Sequence, residues 1–188
     1  MSLKCLLAGT AVAVALVISG APEAQPAAPP TTNMPATSAT LSSQEFASKA
    51  AITGIYEIRA GHIAEQRSRN PDVDRFAAEM IRDHSKNNAQ LMATVKRIGG
   101  IRLPSKVDHE HAGLLAQLRS VSSRQFDSTY AEQQVQGHQD AIALFTSYAR
   151  HGEIPQLKRY ARMTLPVLQH HLEMAQALPT GSRMARSR

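Results

Sequence analysis

Three histidines and one glutamate stand where a helix would ordinarily turn an apolar side chain toward its neighbours. His84 falls in the stripe Val73, Ala77, Met80, Leu91, Val95 and Ile98, whose alternating three- and four-residue spacing marks one helix face. Glu57 lies among Phe46, Ala50, Thr53, Ala60 and Ala64, and His138 among Ala131, Ile142, Phe145 and Ala149. His171 continues the row Leu157, Ala161, Thr164, Leu168, with Leu172, Ala175 and Leu178 after it. If these helices pack antiparallel, the four residues fall at comparable depth. Three imidazoles and a carboxylate converging from four helices form a ligand set for one transition metal ion: zinc, copper or iron. Met80, one turn before His84, and Met174, close to His171, bring thioethers near enough to suit copper as readily as iron.

The same residues also fit a purely structural role. Glu57 can satisfy His84 or His171, and Gln134 or Thr164 can satisfy His138, giving a buried hydrogen-bond network that fixes helix register without a metal. Both readings stand at this level. Elsewhere the signals are weaker. Asp83 is rotated away from His84 and is expected to pair on the surface with Arg82 or Lys86. His170 points off the His171 stripe. His109 and His111 flank Glu110 on a solvated face, and Met80 and Met92 read as core filler. There is no glycine-rich phosphate loop, nucleophile elbow or cysteine–histidine pair, so nothing in the sequence marks an enzyme.

Helical periodicity supplies the elements that must position these groups. Ser42 with Glu45 three residues on is a capping-box pattern that opens the first long helix. Asn70 and Pro71 start the second, and Gly99-Gly100 stop it. A crossover containing Pro104 carries a short helix from Asp108 to Arg119, with Leu114, Leu115 and Leu118 on its apolar side. The third long helix spans about Arg124 to His151. The fourth starts at Pro155, is expected to kink at Pro166, and ends at Pro179. Four long amphipathic helices with the long link between the second and third predict an all-α, ferritin-like four-helix bundle with a short extra helix in that crossover. Phe76 and His84 are also spaced as Tyr130 and His138 are, a short internal echo between the second and third long helices.

The 188 residues divide into four stretches. Residues 1–21 read as a secretory signal: Lys4, an apolar run from Leu6 to Ile18, and a small-residue exit at Ser19-Gly20-Ala21. Cys5, the sole cysteine, precedes that run, which argues against a lipid anchor and leaves no thiol in the domain. Residues 22–41 are a Pro/Ala/Thr linker of disordered composition. The bundle occupies 42–178, and 179–188 form a basic tail with Arg183, Arg186 and Arg188. The formal charge of +6 comes partly from that tail. It allows weak contact with anionic envelope surfaces, whereas no basic stripe interleaved with aromatics points to nucleic acid. The expected location is the periplasm or the outer membrane.

Several segments carry a family resemblance. FAAEMIRDH in the second helix, FDSTYAEQQVQGHQDAIALF in the third, and LKRYARMTLP and LQHHLEMAQAL in the fourth resemble the domain of unknown function 4142 family, sometimes labelled predicted outer-membrane proteins. The resemblance covers Ser43 to Leu178 and implies an exported ferritin-like bundle, with no established reaction to carry over. Di-iron members of the ferritin-like class use Glu-x-x-His on two helices. Here Ile81 and Leu168 precede His84 and His171 by three, and the third helix offers Gln134 and His138 where a carboxylate would be wanted. That departs from di-iron oxygen chemistry and leaves a mononuclear, histidine-rich site. Gly137 also stands before His138 where many relatives have aspartate.

Overall fold

The computed structural model describes residues 41–178; the expected signal, the linker up to residue 40 and the tail from residue 179 lie outside them. The described residues form five α-helices: α1 (Ser43–Arg67), α2 (Pro71–Ile98), α3 (His109–Ser120), α4 (Ser123–His151) and α5 (Pro155–Ala177). The helix ends follow local chemistry. The Ser42 hydroxyl accepts from the Glu45 amide at 3.2 Å, although the Glu45 carboxylate turns to Lys49, 3.0 Å away, instead of closing the box. Asn70 accepts from the Asp72 amide at 2.9 Å ahead of Pro71. Asp108 accepts from the His111 amide at 2.9 Å to start α3. Gly99, with φ 76° and ψ 163°, takes a positive-φ conformation that glycine alone adopts without strain and that stops α2. The α5 helix runs unbroken past Pro166, whose ring is exposed.

The long helices touch in a ring: α1 against α2 and α4, and α5 against α4 and α2. Glycines let α1 and α2 approach closely. A Cβ at Gly54 would stand 2.1 Å from Asn88 Oδ1, and one at Gly61 would stand 2.7 Å from Ile81 Cγ1. The crossover runs back along the bundle. Ile101 and Leu103 pack at one end, while Leu115 and Leu118 of α3 are buried at the other. Arg67 closes α1 onto this segment. It donates to the carbonyls of Leu118 and Val121 and lies 5.0 Å from the centre of the Phe126 ring.

The apolar core is in two parts. One holds Phe76, Met80, Phe126 and Tyr130 with the first half of α2, the second half of α1 and the end of α5. The other holds Phe46, Leu91, Phe145, Tyr148 and Leu168, where Phe46 stacks on Tyr148 at 4.0 Å. Along every long helix, one part gives way to the other across a polar position: Glu57 in α1, His84 in α2, Gln134 and His138 in α4, His171 in α5. The order in which the helices meet the two parts makes neighbours in the ring antiparallel. Met92, expected in the core, is 62 % exposed. It follows Leu91 and is turned about 100° off the buried stripe, so helix geometry overrides its apolar character.

Candidate metal centre

All four singled-out residues are buried: Glu57 and His171 show no exposure, His138 1 % and His84 4 %. The structure brings three of them together. The imidazoles of His84, His138 and His171 stand at the corners of a nearly equilateral triangle, with ring centres 5.7, 5.4 and 5.4 Å apart. One nitrogen from each ring lies within 4.8 Å of the other two. A point at the middle of that triangle is about 3.2 Å from each ring centre, the separation expected when an imidazole nitrogen is about 2.0–2.1 Å from a metal.

The outward sides of two rings fix which nitrogen is left free. His138 Nδ1 donates to the Gln134 carbonyl one turn earlier, at 2.8 Å, so its Nε2 carries the lone pair. His171 Nε2 donates to Asp83 Oδ2 at 3.2 Å, leaving its Nδ1 as the acceptor. The remaining buried nitrogens, His84 Nε2, His138 Nε2 and His171 Nδ1, have no hydrogen-bond partner. Buried polar atoms are normally satisfied, so three clustered rings that each keep an unpartnered nitrogen are a preformed set of donors for an electrophile. A carboxylate or carbonyl behind a ligating imidazole is the usual support for such a site.

Burial, reinforced by the other two rings, holds His84 well below the ordinary imidazole pKa. Burial also brings His138 down to about 4, against the upward pull of the Gln134 carbonyl. His171 is lowered by burial and partly restored by Asp83. All three are neutral at pH 7, the state that ligates a metal.

Glu57 is in the same polar layer but outside this group. None of its oxygens joins the three nitrogens within 4.8 Å. Its carboxyl lies against Gly137, and neither oxygen has a hydrogen-bond partner. Burial raises its pKa to about 8, opposed by the adjacent Gln134 amide, which stops short of hydrogen-bond geometry. The network expected between Glu57 and His84 or His171 is therefore not formed. Thr164 does not serve His138 either, since its hydroxyl donates to the Tyr160 carbonyl at 2.9 Å.

Sequence reasoning placed Asp83 on the surface, paired with Arg82. That pair exists at 3.1 Å, but the second oxygen of Asp83 holds His171 across the helix interface. Its flank position on α2, next to a buried histidine, was the one available signal. His170 is exposed as expected, and His109 is too; His111 is half-buried, packed edge-on to Tyr56 and bonded to Asp108 at 2.7 Å. The internal echo acquires a physical counterpart, because Phe76 meets Tyr130 at 6.0 Å and His84 meets His138 across the bundle.

No helix among the described residues is long and apolar enough to cross a membrane. The fold is shared with several solved structures. One is a DUF305 fragment from Deinococcus radiodurans (TM-score 0.62, 16 % identity, covering 71 % of this chain and 91 % of that one). Another is CopM in its Cu(I)-bound form (TM-score 0.60, 15 % identity, 72 % and 94 % covered). A third is a DUF305 protein from Streptomyces coelicolor described as secreted (TM-score 0.59, 13 % identity, 73 % and 91 % covered). No functionally curated protein matches the sequence at a significant level. The model of the family described as Domain of unknown function (DUF4142) matches residues 27–178, most of the chain, and the protein belongs to that family.

Proposed function

We propose that this is an exported, ferritin-like bundle that holds one copper ion on His84, His138 and His171 and serves in metal handling at the cell envelope. The observation that carries this reading is the clustering of three buried imidazoles, each with a nitrogen that lacks a hydrogen-bond partner. Glu57 stays outside the ligand set. Three neutral ligands, with Asp83 the one carboxylate bonded behind them among the described residues, compensate little of an ion's charge, and the cost of burying an ion rises with the square of that charge. A monovalent ion is thus favoured over zinc or ferrous iron, and copper is the transition metal that offers one. The solved forms of CopM with Cu(I) and Cu(II) make copper the first ion to test, although the likeness itself concerns the fold.

His171 belongs to two donor groups. Besides the triad, it forms a set with Asp83 and Glu79, whose side chains are 24 % and 25 % exposed. Donors that run from the surface to the core suit an ion that is taken up and passed on. They do not suit iron storage.

The full chain, purified without a histidine tag and stripped of metal, is expected to take up one copper per molecule. His84→Ala and His138→Ala should each abolish stoichiometric loading. Asp83→Asn should keep it with an affinity lower by about 10–100-fold, as for the carboxylate behind a ligating histidine. Copper retained in equal amount by His138→Ala would refute the site.

A further inference from the structure

A groove of about 560 Å³ opens between α1, α3 and α4, away from the three histidines, and Glu57 lies at its floor. That volume is of the size that takes a small organic molecule. Glu57 has no exposed surface and both of its oxygens lack partners, so the groove ends on an unsatisfied acceptor. The cover over Glu57 is thin on this side because residue 137 has no side chain: a Cβ there would stand 3.4 Å from Glu57 Oε1 and add to it. Beside Glu57, the Gln134 side chain is also fully buried and unpartnered.

The rim is acidic on a chain whose formal charge is +6. Asp108, Glu110, Glu132 and Asp140 line it, and the one lysine, Lys49, is engaged by Glu45 at 3.0 Å. Between rim and floor Ile52, Leu114 and Leu144 give the wall an apolar strip, flanked by the polar side chains of Thr53, His111 and Gln133. Among the described residues, Glu57 belongs to no group of three metal-ligating side chains, so a metal ion would be left short of ligands there. An ammonium group needs fewer: it carries three donors, and the ionised Glu57 carboxylate offers it two unpartnered acceptor oxygens.

We propose that this groove binds a small organic cation, a primary ammonium at the end of an apolar stem, seated on Glu57, which gives up its proton to the solvent as the cation enters. A second ammonium on the same stem reaches the rim carboxylates, so linear diamines are the preferred class.

Calorimetric titration of the metal-free full chain with 1,4-diaminobutane, n-butylamine and 1-butanol at pH 8.5, where Glu57 is mostly ionised and alkylammonium groups keep their protons, tests this. The expected result is saturable one-to-one binding of both amines, tighter for the diamine, and none of the alcohol. Glu57→Gln, which removes the charge but keeps the shape, and Gly137→Leu, which covers the floor, should each weaken amine binding at least tenfold. Circular dichroism should show both variants as helical as the parent. Amine binding unchanged in Glu57→Gln would mean that only the rim attracts cations, and would overturn the proposal. So would an absence of saturable binding, or zinc binding at this groove that is lost in Glu57→Gln with no amine bound.

Discussion

Glu57→Gln is expected to make the metal-free protein markedly more stable at pH 8 and to leave it nearly unchanged at pH 4.5. The folded carboxyl titrates near 8 against an ordinary value of 4.5, because burial penalises its charged form. Between those two values the folded state holds a proton that the unfolded chain has released, so stability falls as pH rises through the window. At 1.36 kcal/mol per pKa unit, the loss approaches about 4–5 kcal/mol by pH 8, an upper bound for a site that water can relax.

The histidines act in the opposite sense. His138, ordinarily near 6.5 and here near 4, is charged in the unfolded chain and neutral in the folded one between those values. Stability is therefore lost as pH falls through that window, by about 3 kcal/mol for His138. His84 and His171, also lowered, add losses of the same sign. These groups together place the stability maximum of the metal-free protein near pH 6.5. Urea midpoints measured from pH 4 to pH 9 should show a fall on both sides in the parent and no alkaline fall in Glu57→Gln. An alkaline limb that persists in the variant would contradict the buried, unpartnered state of Glu57.

The second large effect is stabilisation by copper. An ion bound by the folded state alone adds about 4 kcal/mol when its free concentration is a thousand times the Kd. For a domain of this size, that corresponds to a rise in Tm of roughly 10 °C. Because burial holds His84 and His138 well below the ordinary imidazole range and lowers His171 too, the rise should fall off less on going to pH 5.5 than it would for histidines of ordinary pKa. His138→Ala should show no copper-dependent rise at either pH. A shift of the same size in that variant would move the metal elsewhere on the chain.

Much of this arrangement is written in the helical periodicity. A histidine in a leucine slot announces its depth, and the three rings and Glu57 do lie in one layer between two apolar clusters. Depth alone does not give direction. Glu57 projects from α1 toward Gly137 and the groove, whereas the three rings of α2, α4 and α5 meet one another. The choice depends on side-chain directions and helix rotations, which the spacing within a single helix does not report. Asp83 was legible only as the partner of Arg82, for the same reason. It is rotated from His84 on its own helix, and only the position of α5 turns that flank into a partner for His171. Met92 shows the converse, an apolar residue whose helix position leaves it in water. The crossover was legible as a break with a short helix. Its packing along the bundle, which walls the groove, depends on tertiary contacts that no local pattern encodes.

X-ray absorption at the copper edge, on the untagged full chain loaded with one copper, tests the three-imidazole centre most directly. It should show three nitrogen neighbours at about 2.0 Å with the outer-shell scattering of imidazole rings. A first shell of oxygen, or an unaltered spectrum in His138→Ala, would contradict it.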